Sequence, residues 1–400
     1  MTTVAVVSVG RSDWGILRPL LVRLRAEPGL RLELIAAGAH RAAAFGQTLD
    51  EILADGFAPA AVLDLASAED SPVAVAAAMG RATAELAPVY RRLAPDLLIA
   101  LGDRAEMLAA ALAAVPLLIP IAHIGGGAET LGAIDDVFRH ALSKLSALHF
   151  VETAFHRDRL LSLGEEDWRI TISGALGLDN LTGFAPLARA TLAARFGLDF
   201  DPWEPPLLVT LHPETRSTMS VEGQAEELLA ALEDDPRPIV FTYPNADAGG
   251  RAMIAAIDRF VARHKRARAV PNLGRAGYFS VMAAAAAMIG NSSSGLIEAA
   301  SFRLPVVNIG ARQEGRLAPD NVLHAPFDRA AIGQALARAA SREFRAGLAT
   351  LDNPYGDGSA AERIVDVLRK IDPADPRLRI KRLALRGPAL QPRQRRLRQR

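Results

Sequence analysis

Short apolar runs that stop abruptly at glycine or a charged residue recur along this chain, alternating with alanine-rich stretches of helical period. Such runs mark strands buried on both faces, and strands that alternate with helices form βαβ units around parallel sheets. Strands are expected at 4–9, 31–37, 97–101, 118–123, 147–151, 207–211, 239–243, 287–289 and 305–309. Between the fifth and sixth the pattern loosens into Pro186, Pro202, Pro205, Pro206 and the charged segment DFDPWEPP, which reads as a linker. Four hundred residues are more than one core usually organises. The expected fold is therefore α/β: two doubly wound Rossmann-like domains, 1–183 and 207–370, facing each other across a cleft, with a linker at 184–206 and a tail at 371–400.

The absence of cysteine excludes disulfides, thiolate nucleophiles and Cys-ligated zinc or iron–sulfur sites. Pro116 and Pro120 break the longest apolar stretch, 107–122, into helix, turn and strand, so no membrane span is expected. No signal-peptide pattern precedes the first strand, and the expected compartment is the cytoplasm. The net charge of +1 conceals an uneven distribution: ten of the 46 basic residues and none of the 45 acidic ones lie between Arg377 and Arg400. A basic tail can touch nucleic acid or anionic lipid. Here proline and glutamine interrupt it and no aromatic accompanies it, so it is expected to be disordered and dispensable, with no nucleic-acid partner.

Ligand sites in open α/β sheets lie at the carboxyl ends of the strands, which directs attention to the residues that follow each run. LLIAL ends in Gly102, Asp103 and Arg104, and the next strand ends in His123 and a triple glycine, 125–127. Asp103 has no capping role to explain it and is a candidate acid or base. Asp135 and Asp136 open the helical segment IDDVFRHALSKL, where carboxylates are also common because they complement the helix dipole. Carboxylates crowded in a cleft have their pKa values pushed apart, which lets one serve as acid and another as base.

In GNSSSGLIE, residues 290–298, small residues join a buried run to a helical one. Ser292, Ser293, Ser294 and Gly295 would let backbone N–H groups approach a phosphate at a helix N-terminus, and Glu298 would accept from the two hydroxyls of a ribose. Three serines exceed what a single helix cap needs. Arg11, Arg104 and Arg312 each follow a strand and converge on the same cleft, where they would clamp a diphosphate. His212 ends the strand LLVTLH on the loop side, with a functional placement; His40 is placed similarly, and His123 would hold the glycine turn. Neither a Walker loop nor a G-x-G-x-x-G fingerprint is present, so hydride chemistry loses support.

Taken together these residues resemble the UDP-N-acetylglucosamine 2-epimerase family, and within it the hydrolysing branch that feeds sialic, legionaminic and related nonulosonic acid pathways. The resemblance spans about residues 4–368 and rests on GRSDWG, GDRAEM, AHI followed by a glycine pair, GAIDDVFRHALSKLSALHF, GALGLDN, YPNADAGG, GNSSSGLIEA and NIGARQEGR. IDDVFRH and NSSSG point to the hydrolysing branch, since non-hydrolysing members resemble PEEANR and DSGG at these places. The resemblance implies a GT-B fold, a UDP-sugar in the interdomain cleft, a homodimer or homotetramer, and no metal or other cofactor. It implies loss of the C2 proton, anti elimination of UDP to a 2-acetamidoglucal, and hydration to the 2-epimer. By position, Arg11, Arg104, Ser292, Ser293, Glu298 and Arg312 would hold UDP with Tyr278 near the uracil, and His212 would meet the diphosphate. Asp103 and Asp135 would act as acid and base, with Asp136 beside them.

Three positions depart from the family. Gly125 stands where some members carry a catalytic glutamate, Ala128 where many have glutamate after the glycine pair, and Ala147 where a further histidine is found, although His149 is retained. Glycine adopts conformations barred to other residues, so residues 125–127 would let Glu129 supply the missing carboxylate. The alternative readings are a non-hydrolysing epimerase that returns a UDP-sugar, a nucleotide-sugar binding relic without turnover, and a GT-B glycosyltransferase. The last would leave the IDD carboxylates unexplained.

Overall fold

In the computed structural model, which describes residues 1–41, 48–65, 71–131, 133–201, 204–214, 216–244 and 249–384, the apolar runs assemble into two sheets whose pairings are all parallel. Only the backbone is described for Arg11 and Ser12. The first sheet contains β1 (Thr2–Ser8), β2 (Leu30–Ala36), β3 (Ala61–Val62), β4 (Leu97–Leu101), β5 (Ile121–Ile124), β6 (Leu148–Val151) and β7 (Ile170–Ile172), in the spatial order 3-2-1-4-5-6-7. The second contains β8 (Leu207–Thr210), β9 (Ile239–Thr242), β10 (Ala267–Val270), β11 (Ala287–Gly290), β12 (Val306–Ile309) and β13 (Val322–Ala325), in the order 10-9-8-11-12-13. The order reverses between β1 and β4 in one sheet and between β8 and β11 in the other. A crevice opens at each such point, outside the carboxyl ends of the strands.

The sequence missed four strands, β3, β7, β10 and β13, and all four lie at sheet edges. A central strand is covered on both faces and reads as an unbroken apolar run, whereas an edge strand mixes polar and apolar residues, as in ARAV and VLHA. The expected strand at 118–123 starts late, because a 3₁₀ turn at Val115–Leu117 and a left-handed Leu118 carry the chain past Pro116 before β5 begins. The expected linker is not bare. It holds the helix Arg189–Phe196, and Leu192 and Leu198 pack beneath the second sheet with Leu208, Val240, Met288 and Val306.

The chain then returns to the first domain. Ala360, Ala361, Ile364, Val365 and Leu368 of the helix Ala360–Leu368 are buried in the same core as Leu17, Leu20 and Leu21 of the helix Arg11–Ala26, although sequence order had placed them in the second domain. The Asp179 carboxylate accepts from the amides of Ala360 (2.9 Å) and Ala361 (2.7 Å), satisfying two N–H groups of that helix terminus.

Residues 376–384 contradict the expected free tail. Leu378 is buried in the first core, and the Arg169 guanidinium, 1% exposed, donates to the carbonyls of Arg377 (2.9 Å) and Ile380 (3.1 Å). Lys381 donates to the carbonyls of Ser143, Lys144 and Ser146 and sits 2.6 Å from the fully buried carboxylate of Glu165. Glu165 also takes Lys144 (2.6 Å) and His149 (3.0 Å), and the Ala384 amide donates to Gly164 (2.8 Å). Burial opposes ionisation of Glu165, but bonds from His149, Lys144 and Lys381 outweigh it and hold its pKa below the usual carboxylate range. The basic residues from 385 onward lie outside the described residues. Among the described residues no helix is long and apolar enough to cross a membrane.

Ending the chain after Pro376 removes Leu378 and one cation from a buried cluster. Loss of a buried ionic partner costs about 3–5 kcal/mol, so the melting temperature should fall by roughly 5–10 °C. A chain ended after Ala384 keeps every contact named above and is the control in the same thermal scan.

Candidate active site

The carboxyl ends of β1, β4, β5 and β6 stand side by side and deliver, in that order, Asp13, Asp103, the glycine loop from Gly125, and Glu152. Asp13, in the first turn of the helix after β1, accepts from the Val9 amide at 3.1 Å and is buried. Burial pushes its pKa up to about 6; Arg104 and the Val9 amide oppose the rise, and Glu106 and Asp103 add to it. Asp103 behaves oppositely. It too is penalised by burial, yet the guanidiniums of Arg139, Arg316 and Arg104 prevail and hold it ionised.

Arg139, 3% exposed, is the hub of this side. It bonds the Asp103 carboxylate, donates to the Thr130 hydroxyl at 2.9 Å and lies 3.6 Å from Asp136. Asp136 itself accepts from the Thr130 amide at 2.7 Å, so the second acid of the IDD pair fixes the glycine loop, while Asp135 sits half-buried at the helix N-terminus. His123 clips the loop's base, with Nε2 2.8 Å from the Gly102 carbonyl and Nδ1 3.0 Å from the Ser143 hydroxyl. Burial lowers its pKa to about 3, so it stays neutral. Gly127 has φ of +77°, and a Cβ there would strike the His156 carbonyl.

Glu129 does not turn toward Asp103. Its carboxylate is 2.6 Å from Arg159, which also donates to the Gly315 carbonyl at 2.8 Å, tying the loop to the other domain. His40 pairs with the Ser8 hydroxyl at 2.9 Å and burial lowers its pKa to about 4, while His149 belongs to the Glu165 cluster.

On the facing side, Gly290 has φ of +130°, and a Cβ would strike the Thr210 carbonyl, so only glycine lets β11 close on β8. Asn291 next accepts from the His212 amide (2.7 Å) and donates to the His212 carbonyl (2.9 Å), fixing the histidine's backbone beside the serine loop. The Ser292 hydroxyl is 2.9 Å from that of Ser294, which is 2.6 Å from the Tyr278 hydroxyl. The expected helix after this loop is replaced by two 3₁₀ turns, Ser293–Gly295 and Ala299–Phe302, because the chain has only residues 291–305 in which to leave β11 and enter β12. An anion here would meet local N–H groups and hydroxyls rather than a long helix dipole.

Glu298 reaches across to the first domain, where its Oε1 would lie 2.9 Å from a Cβ on Gly177. Burial, reinforced by Glu152, pushes its pKa up to about 7 against the Glu298 amide and Arg316. The Arg312 amide donates to Glu214 (2.8 Å) and its guanidinium to the Pro213 carbonyl (3.0 Å), bracing the turn after His212. Arg104 lies 3.8 Å from Glu106 at the mouth of the first crevice. Arg316 enters from the second domain, donating to the Glu129 carbonyl (3.3 Å) and the Thr130 hydroxyl (3.2 Å).

The structure thus brings Asp103, Arg104, Glu298, Arg312, His212 and the serine loop to one cleft, and adds Asp13, Arg139, Glu152 and Arg316, which sequence alone had not singled out. Glu152 follows its apolar strand as directly as Asp103 does, and that position was the available signal, whereas Asp13 comes later, in the first turn of the helix after β1. The side chain of Arg11 and residues 245–248 of YPNADAGG lie outside the described residues. Acids of contrasting proton affinity beside buried guanidiniums can move a proton next to an anionic group held by the opposite loop.

A model of the family described as UDP-N-acetylglucosamine 2-epimerase matches residues 22–369. The chain is similar to UDP-N,N'-diacetylbacillosamine 2-epimerase (hydrolyzing) of Legionella pneumophila, 36% identical over 363 residues that cover 90% of this chain and 94% of that one. It is also 34% identical over 344 residues to GDP/UDP-N,N'-diacetylbacillosamine 2-epimerase (hydrolyzing) of Campylobacter jejuni, covering 86% and 88%. Among solved structures, UDP-GlcNAc 2-epimerase from Neisseria meningitidis bound to UDP-GlcNAc gives a TM-score of 0.81 at 19% identity, over 93% of this chain and 100% of that one. At that identity the likeness speaks to the fold, which is GT-B.

Asp13 offers a stability test of this electrostatic arrangement. Its pKa rises from 3.8 to about 6 on folding, so the unfolded chain ionises first and folding stability falls as pH climbs from about 4 to about 6. The full penalty, about 2–3 kcal/mol at 1.36 kcal/mol per unit, applies above that window. Asp13→Asn should raise the melting temperature at pH 7 and leave it unchanged at pH 4, as followed by calorimetry.

Proposed function

Because the chain belongs to the UDP-N-acetylglucosamine 2-epimerase family, we propose that it is a hydrolysing UDP-N-acetylhexosamine 2-epimerase, converting a UDP-linked 2-acetamido sugar and water into the free 2-epimeric sugar and UDP. The observation that carries this reading is the meeting, in one cleft, of an ionised Asp103 with a loop of serines, His212 and Glu298 suited to a nucleoside diphosphate. The two relatives named for UDP-N,N'-diacetylbacillosamine support a 2,4-diacetamido-2,4,6-trideoxyhexose as the sugar, with UDP-GlcNAc as the alternative.

In the proposed reaction Asp103 takes the proton from C2. The electron pair of that bond becomes the C1=C2 double bond as the C1–O bond to the diphosphate breaks. Arg11, Arg104 and Arg312, the amides and hydroxyls of residues 292–295, and His212 meet the charge that gathers on departing UDP, and preorganised donors of this kind stabilise it strongly in a dry cleft. Tyr278, bonded to the serine loop, would lie near the uracil, and Glu298 would accept from the ribose hydroxyls. Water then supplies hydroxide to C1 while a proton returns to the other face of C2, inverting that centre.

Incubation with each UDP-sugar in deuterated water should yield UDP and free 2-epimer in equal amounts, with deuterium at C2 by NMR. A 2-epimeric UDP-sugar without free UDP would instead establish the non-hydrolysing reaction, and UDP binding without any turnover the relic.

Ribose hydroxyls donate to an ionised Glu298, whereas in the free cleft its pKa is about 7. UDP affinity should therefore weaken as pH falls below about 7, approaching tenfold per unit. Glu298→Gln should weaken binding by roughly 1.5–3 kcal/mol, the range for hydrogen bonds to a charged group, and remove that part of the pH dependence. Calorimetric titrations at several pH values give both quantities, and an unchanged affinity would exclude Glu298 from the UDP site.

A further inference from the structure

Glu152 leaves β6 beside the place where Gly125 leaves β5. The two strands are neighbours, with Ile124 opposite Phe150, and the Gly125 amide donates to the Phe150 carbonyl at 3.0 Å. Gly125 contributes no side chain, and a Cβ there would meet only the Gly102 backbone, 3.9 Å away, so the space above β5 is open toward the end of β4. The Glu152 side chain is 21% exposed, and the charges of Arg316, Arg139 and Asp103 act on it.

Its surroundings distinguish it from the other acids of the cleft. Asp103 is paired with Arg139, Glu129 with Arg159, and Asp136 with the Thr130 amide. Among the described residues the nearest partner of the Glu152 carboxylate is His156 Nδ1 at 3.7 Å, beyond hydrogen-bond length. Burial together with Arg316, Arg159 and Arg139 lowers the His156 pKa to about 4, so that neighbour is neutral and the contact is not an ion pair. Asp103 acts on Glu152 from its own domain, and Glu152 in turn acts on Glu298 across the cleft, which puts it between the two.

Resting on the 2-epimerase reading, we propose that Glu152 is a second catalytic carboxylate, the acid that returns a proton to C2 after Asp103 has removed one. Epimerisation needs the proton taken from one face of C2 and delivered to the other, which two groups on the strand ends that flank β5 accomplish without turning the sugar over. The acid gives its proton to C2, the π electrons of the glycal form that C–H bond, and water's oxygen bonds to C1. The second proton of that water passes to the Glu152 carboxylate, restoring it, and the proton on Asp103 leaves to solvent with UDP. Burial raises the Glu152 pKa against the opposing charges of Arg316 and Arg139, which suits a group that must hold a proton, whereas Asp103 is held ionised and suits the base.

The test uses the full chain and compares wild type with Glu152→Gln, Glu152→Asp and Asp103→Asn. Glu152→Gln should still release UDP but accumulate the 2-acetamidoglucal, forming free sugar about 10² to 10⁴-fold more slowly. Its UDP affinity above about pH 8, where Glu298 is ionised in both proteins, should match wild type, its melting temperature should not fall, and Glu152→Asp should recover part of the hydration rate. Asp103→Asn should release no UDP. Free sugar formed by Glu152→Gln within about fivefold of the wild-type rate overturns the role, as does a loss of elimination and hydration in step with a lowered melting temperature. A wild-type protein that released UDP from no UDP-sugar would overturn the epimerase reading itself, a result distinct from either.

Discussion

Two guanidiniums, the buried Arg139 and the half-buried Arg316, hold the cleft together against the repulsion of its own acids. Asp13, Asp103, Glu152 and Glu298 act on one another, and burial penalises the charge on each. Arg139 comes from a helix of the first domain and Arg316 from a loop of the second, and both meet at the Thr130 hydroxyl. A buried charge left without a partner is far more damaging than the pair is stabilising. The cations therefore hold the Asp103 pKa down, whereas burial prevails at Asp13, Glu152 and Glu298 and raises theirs. Contrasting protonation in one cleft follows from where two arginines reach.

The same contacts couple chemistry to domain position. Arg316 donates to the Glu129 carbonyl, Arg159 to the Gly315 carbonyl, and the Leu131 amide to the Glu314 carbonyl, so the glycine loop of one domain and the loop after β12 of the other are laced along their backbones. Were the domains to separate, Asp103 and Glu152 would lose the Arg316 charge, and the balance that lowers the pKa of one and raises that of the other would shift.

Strands buried on both faces announce themselves in sequence because their environment is uniform, and nine of them stood out for that reason. The edge strands did not, since each has a neighbour on one side only. Pairings across long separations were equally hidden. Asp103 was visible as an unexplained acid after a strand, but nothing nearby in sequence told that Arg139 would neutralise it, and Lys381 read as one more solvated base because its partner Glu165 lies 216 residues earlier and fully buried. The placement of Glu129 follows from geometry that counting does not show. Its offset from the glycines brought it near the site by count, yet Gly127, packed against the His156 carbonyl, turns the loop so that its carboxylate meets Arg159.

Strand-end position groups acids that no single motif contains. Asp13, Asp103 and Glu152 belong to unrelated sequence segments, share only their place just beyond the carboxyl end of a parallel strand, and converge because parallel strands all end on the same edge. Position alone leaves their roles undivided, and the local charges then separate them. The acid beside Arg139 is ionised, and the acid beside a neutral His156 holds its proton more tightly. A bare Gly125 between them leaves the end of β5 without a side chain of its own, so the edge of the sheet carries one acid after β4, one after β6, and no side chain at the strand end between them.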